Sequence, residues 1–158
     1  MGRYAAQQPL PMRLRQKIQT LPRCVPLMDL LYTPLYAAIL GLVYVCLSIL
    51  AVKARRRNQV ALGDGGKADL QRAIRAHANF IEYTPITLLL LYFYEMLGQP
   101  AFIINIIALA FTAGRLIHAY NISRADEKIA LRVTGMALTF SSIIVLSVLL
   151  IVNFVINF

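Results

Sequence analysis

Four long apolar stretches separated by short polar links restrict how this 158-residue chain can fold. Each stretch is long enough to cross a membrane core of ~30 Å, which takes about 20 helical residues. A helix suits such a crossing because it satisfies every backbone hydrogen bond within one segment. The chain is also 59% hydrophobic and only 15% charged. We therefore predict an all-α, integral membrane four-helix bundle with spans at about 34–52, 70–97, 101–120 and 129–156.

The charges between the spans predict the orientation of the bundle. Residues 53–75 include seven basic and two acidic residues, and residues 115–132 include four basic and two acidic ones. Neither the link 98–100 nor the C-terminal tail contains a basic residue. Since loops rich in Lys and Arg stay on the cytoplasmic side, we expect both basic loops in the cytoplasm and the C-terminus outside.

Composition also excludes two classes of partner. The formal net charge of +9 is spread over clusters between hydrophobic runs, as in loops that lie beside anionic lipids. It is therefore not a nucleic-acid signature, and the partner that we expect is the lipid bilayer. The two cysteines, Cys24 and Cys46, have no metal-ligand spacing, so we predict no metal site.

The N-terminal residues conflict with this topology. Residues 1–27 contain five basic and no acidic residues, although four spans would place them outside. One hypothesis is that the native chain starts at Met28 and that 28–158 form the four-span domain. The alternative is a basic tail on the membrane surface. N-terminal sequencing of the native protein would distinguish the two, because a peptide from residues 13–23 would exclude the later start.

Polar side chains occupy one face of the helix that leads into the second span. At about 100° per residue, two cations, an amide and a carboxylate share this face, with a phenol at its border. In lipid such groups cost a few kcal/mol each, so they are kept where they face each other, water or a ligand. A plain helix start with snorkelling arginines remains an alternative, although an amide and a carboxylate cannot snorkel far. The residues are Arg72, Arg75, Asn79, Glu82 and Tyr83; His77 points away from them.

A second polar group lies on the third and fourth helices. Arg115 and His118 are three residues apart and share a face, and Arg132 is in the first turn of the fourth span. Each of these alone is also typical of a membrane interface. Together with the second helix they suit a small polyanion that also carries an ammonium, because arginine binds carboxylates bidentately. Glutathione has this chemistry, and its thiol would be acidified in such a field.

At this point the chain resembles the MAPEG family, the membrane-associated proteins in eicosanoid and glutathione metabolism. The resemblance covers about residue 33 to the C-terminus, and the bacterial branch is similar in 61–66 and 72–83 as well. It implies a homotrimer, and it implies the bacterial inner membrane. It rests on Arg75-x-x-x-Asn79-x-x-Glu82-Tyr83-x-Pro85, on Arg115-x-x-His118 and on Arg132.

The resemblance implies that glutathione binds in a cleft between neighbouring subunits. The mechanism would be stabilisation of the thiolate and its attack on a lipophilic electrophile, in a transferase or peroxidase reaction. Arg132 matches the arginine that stabilises the thiolate and is the predicted catalytic residue. The predicted glutathione-binding residues are Arg72, Arg75, Asn79, Glu82, Tyr83, Arg115 and His118.

One departure limits how far the resemblance extends. Family members with a defined eicosanoid reaction carry a tyrosine seven residues after the position of Arg115, where this chain has Ile122. Eicosanoid-specific chemistry is therefore unsupported, while a generic glutathione transferase or peroxidase activity fits the chain.

A non-catalytic lipid-binding or scaffold protein is the alternative, and Arg75, Asn79 and Glu82 disfavour it because such a protein has little need of a glutathione site. A small four-span exporter is disfavoured, because such exporters rely on a lone carboxylate in the first span and 34–52 has no charge.

Overall fold

The computed structural model describes residues 32–157, which form four helices and no strand. The prediction of an all-α integral membrane four-helix bundle is confirmed. The expected extension 1–27 and the proposed start at Met28 lie outside the described residues. The helices are α1 (Tyr32–Asn58), α2 (Ala68–Met96), α3 (Ala101–Ile122) and α4 (Ile129–Asn157).

Three helices of the described chain, α1, α3 and α4, are long and apolar enough to cross a membrane. α2 does not reach the same hydropathy, although we predicted it as a span like the others. The reason is that its polar side chains continue along its length and point into the bundle, where Asn79, Thr84, Thr87 and Glu95 are buried. α2 therefore carries buried polar side chains along its length, and it packs against all three other helices.

The core of the bundle consists of two hydrophobic clusters, one above the other. Both are built mainly from α2 and α3, which lie at the centre of the bundle. The first contains Leu40, Leu47, Ala76, Phe80, Phe111, Ala119 and Ile122. The second contains Leu91, Tyr94, Ile104, Ile107, Ala108 and Leu146.

Helices α3 and α4 approach each other closely at two glycines. A Cβ on Gly114 would lie 2.9 Å from the Cβ of Leu138, and a Cβ on Gly135 would lie 2.8 Å from the Cβ of His118. Small residues at such crossings let membrane helices make close van der Waals contact. The crossing therefore holds His118 directly against the backbone of α4.

The end of the bundle that carries the links 59–67 and 123–128 is called the basic end. Here the Asp69 carboxylate at the start of α2 accepts hydrogen bonds from Arg57 and, at 2.8 Å, from the Asn58 amide. The Arg57 guanidinium lowers the pKa of Asp69 from 3.8 to about 2. In the link itself, the Asp64 carboxylate accepts the Gly66 N–H at 3.0 Å, which is a turn role.

The opposite end of the bundle is held by a carboxylate that the sequence motifs did not single out. Glu95 is buried, and its two oxygens accept the backbone N–H groups of Tyr32 and Thr33 at 2.8 Å each. The first N–H groups of a helix have no partner within the helix, and a negative charge there also interacts favourably with the positive end of the helix dipole. Glu95 therefore fastens the start of α1 to the end of α2.

Candidate functional site

Arg115 is the centre of the polar cluster inside the bundle. It is completely buried, with 0% of its surface exposed. Its Nη2 donates to the side-chain Oδ1 of Asn79 at 3.0 Å, and its Nη1 donates to the Asn79 backbone oxygen at 3.3 Å. The guanidinium carbon lies 5.5 Å from the centre of the Tyr83 ring. The structure thus brings together one predicted site residue of α3 and two of α2.

No carboxylate among residues 32–157 forms an ion pair with Arg115. Among the described residues its Nε also has no hydrogen-bond partner. Glu82 and Tyr83 lie near enough to interact with it electrostatically. A buried cation is costly unless it is paired. The cluster therefore leaves a positive potential in the interior, and this potential favours an anion nearby.

The predicted polar face of α2 is divided into two rows. Asn79 is buried, and Arg72 and Tyr83 are half-buried, whereas Arg75 and Glu82 are exposed. The angular offset between the rows is roughly 60–80° on an ideal helix. The first row meets the other helices of the same chain. The second row faces outward, where a ligand or a neighbouring molecule can reach it.

Arg72 lies apart from the Arg115 cluster although it belongs to the inner row. It is seven residues before Asn79, which is about 10 Å along a helix axis. Its side chain lines a groove against α1, together with Lys53 and Arg57. The structure therefore does not bring Arg72 to the residues around Arg115.

His118 is buried on α3, one turn from Arg115. It is 3% exposed, and among the described residues neither ring nitrogen has a hydrogen-bond partner. Arg132 and Glu127 lie near enough to interact with it electrostatically. Buried polar atoms are seldom left without a partner, so the imidazole is held ready to accept or donate a hydrogen bond.

Arg132 stands at the edge of the site within one chain. Its side chain is 51% exposed, and its Nη1 lies 3.5 Å from a Glu127 oxygen. The ring of Tyr83 packs edge-on against Phe140 of α4, with 5.6 Å between centres, and Arg132 precedes Phe140 by eight residues, about 12 Å. Arg132 is therefore distant from the Tyr83 ring and lines an open groove of about 630 Å³ on α4.

Three residues near the motif lie outside the cluster. The ring of His77 packs on Tyr44 of α1, with 5.0 Å between centres, in keeping with its predicted direction away from the site. Tyr120 is exposed and accepts a hydrogen bond from Arg124. Ile122 is buried in the hydrophobic core, and its side chain, unlike that of tyrosine, has no hydroxyl for a ligand.

The comparison with protein families gives a match to the MAPEG family over residues 33–152. The chain belongs to the MAPEG family. The sequence resemblance is thereby confirmed, and the matched region contains every predicted site residue from Arg72 to Arg132. Membership makes this MAPEG chain a membrane protein of a family that is generally associated with glutathione.

Two curated relatives of this MAPEG chain come from Escherichia coli. Both are named inner membrane protein YecN, one from strain K12 and one from O6:H1, and each is 42% identical over 86 residues. The match spans 54% of this chain and 66% of each relative. It therefore covers a little less than two thirds of the relatives' length.

Proposed function

We propose that this protein is a membrane-bound, glutathione-dependent transferase or peroxidase of the bacterial inner membrane. The observation that carries the proposal is the buried Arg115, which is held by Asn79 and forms no ion pair within the described part of the chain. A fixed cation in a region without water attracts an anion strongly. Membership of a glutathione-related family supports glutathione as that anion, and the relatives' name supports the inner membrane.

The exposed residues of α2 would bind glutathione directly. Arg75 would take a glutathione carboxylate by paired hydrogen bonds, and Glu82 would take the α-ammonium. The Tyr83 ring lies 5.5 Å from the guanidinium carbon of the buried Arg115. Arg115 would act from the interior of the bundle, behind the residues that contact glutathione, because it orients the Asn79 amide and adds positive potential. His118 would line the same cleft from α3, next to Arg132 of α4.

The proposed catalytic residue is Arg132, and a homotrimer would place it. Arg75, Glu82 and Arg132 are all exposed on the single chain, which supports a glutathione cleft completed between neighbouring subunits at the cytoplasmic side. Arg132 would stabilise the glutathione thiolate. With an aryl halide, the sulfur would form a bond to the ring carbon, and the halide would leave with its electron pair.

Glutathione binding by the purified protein in detergent tests the proposal. We expect binding at millimolar glutathione or below by calorimetry, and conjugation of an aryl halide followed by absorbance. Arg75→Gln and Glu82→Gln should each weaken binding by about tenfold or more, since each removes a charged hydrogen-bond partner. Lys67→Gln removes an exposed cation outside the site and should bind glutathione normally.

The outcomes separate the proposed functions. Arg132→Gln should retain binding, lower the conjugation rate and raise the pH at which the bound thiol ionises. Absence of binding at millimolar glutathione would contradict the whole proposal. Binding without turnover of any electrophile would instead support the alternative, a non-catalytic lipid-binding or scaffold protein, for which the open apolar groove on α4 is the favouring observation.

A further inference from the structure

A positively charged groove, separate from the Arg115 cluster, lies at the basic end of the bundle. Its volume is about 420 Å³, within the usual range of small-molecule sites. In the sequence, its α1 cations contribute only to the basic loop that predicts the orientation of the bundle. It is formed by Leu50, Lys53 and Arg57 of α1, Asp69 and Arg72 of α2, and Ser123 after α3.

The groove has an excess of two positive charges. It is lined by three cations and one carboxylate. The carboxylate of Asp69 is already engaged by Arg57 and Asn58. Lys53 and Arg72 form no ion pair with any residue that the structure describes. Two cationic groups therefore face the groove without a neutralising carboxylate from residues 32–157.

The position of the groove along α1 points to the membrane surface. The apolar part of α1 ends at Val52, and Lys53 is the first charged residue of that helix. Below Lys53 the groove wall is Leu50, and Ala54 and Ala73 add further apolar surface. A groove with cations above and apolar side chains below matches the boundary between lipid headgroups and acyl chains.

We propose that this groove binds the phosphate of an anionic phospholipid. Lys53 and Arg72 contact the phosphate oxygens, while Arg57 is shared between the lipid and Asp69. The first part of an acyl chain lies along Leu50. A free inorganic phosphate offers the same oxygens but has nothing to place on the apolar wall. Arg72, which the family resemblance implied as a glutathione contact, is in this assignment a lipid ligand.

Native mass spectrometry of the full-length protein tests the site without glutathione present. The probes are phosphatidylglycerol and phosphatidylethanolamine with matched acyl chains. We expect phosphatidylglycerol to be retained about fivefold or more over the zwitterionic lipid. The preference should disappear in Lys53→Gln/Arg72→Gln and persist in Lys53→Arg, which keeps the charge. Lys67→Gln removes one cation outside the groove and should keep the preference.

Four results would overturn the assignment. One is equal retention of the two lipids, and another is an unchanged preference in the double variant while its helical circular dichroism equals that of the parent. Displacement of phosphatidylglycerol by millimolar inorganic phosphate would show a site for a free anion. Displacement by glutathione would show that the groove belongs to the glutathione cleft. Because the lipid measurement needs no glutathione, it can fail or succeed independently of the proposed function.

Discussion

Among the individual residues, the buried guanidinium of Arg115 is held by the oxygens of Asn79. Arg115 uses both the side chain and the backbone oxygen of Asn79. An amide accepts these hydrogen bonds without neutralising the charge, whereas a carboxylate would cancel it. The positive potential is therefore preserved, at a cost in stability that the packing of the bundle must offset.

The Arg115–Asn79 contact predicts a stability change. Asn79→Ala should lower the free energy of unfolding by about 1–3 kcal/mol, because it leaves a buried charged donor without its side-chain acceptor. Thermal unfolding in detergent measures the change. Thr134→Ala is a suitable control, since the Thr134 hydroxyl is exposed and bonds only within its own helix. Equal stabilities of the two variants would contradict this role of Asn79.

At the scale of elements, the crossing of α3 and α4 decides where His118 can lie. Gly114 and Gly135 bring the two backbones together, and His118 packs directly on the second of them. Helix periodicity predicted that Arg115 and His118 share a face, and it could not predict the crossing. The approach of two helices depends on which side chains meet across the interface, and neither helix alone contains that information.

The crossing predicts a contrast between two glycine substitutions. Gly135→Ala places a Cβ 2.8 Å from the His118 Cβ and 2.9 Å from the Gly114 oxygen, so the helices must separate and stability should fall by about 1–3 kcal/mol. Gly41→Ala meets nothing within 4 Å on α1 and should be neutral or stabilising by up to ~1 kcal/mol. Thermal unfolding of both variants checks the contrast, and a stable Gly135→Ala protein would refute the tight crossing.

At the scale of the whole molecule, the two ends of the α1–α2 hairpin are fastened by carboxylates. Glu95 binds the start of α1 at one end, and Asp69 binds the end of α1 at the other. Both acids belong to α2, the helix that also carries Asn79. The one described helix that falls short of a membrane span in hydropathy is thus the one that fastens the others, because its polar groups find partners on its neighbours.

The Asp69 contact predicts a dependence of global stability on pH. Its folded-state pKa of about 2 is below the ordinary 3.8, so its contribution is present above about pH 4 and is lost as the pH falls through 2. The difference in melting temperature between the wild type and Asp69→Asn should therefore be constant from pH 5 to 8 and shrink below pH 4. A difference that persists unchanged to pH 2 would exclude Asp69 as its source.

The helices and the family could be predicted from the sequence, whereas the assignment of the site residues stays a prediction. Length and hydropathy predicted four helices, because a membrane core requires a set number of apolar residues. The motif from Arg75 to Pro85 indicated the family that the comparison then confirmed. Because residues on one helix have fixed angular offsets, the spacing also predicted that His77 points away from Asn79, and its ring packs on Tyr44 of α1.

Which polar groups meet could not be predicted from the sequence and follows from the packing of the helices. This packing buried Arg115 against Asn79, exposed Arg75 and Glu82, and turned Arg72 toward the groove with Lys53. It also gave Glu95 a role that no motif indicated. The physical reason is that spacing along a helix defines only relative directions on that helix. Burial and hydrogen-bond partners depend on where the neighbouring helices pack, which is a property of the assembled bundle.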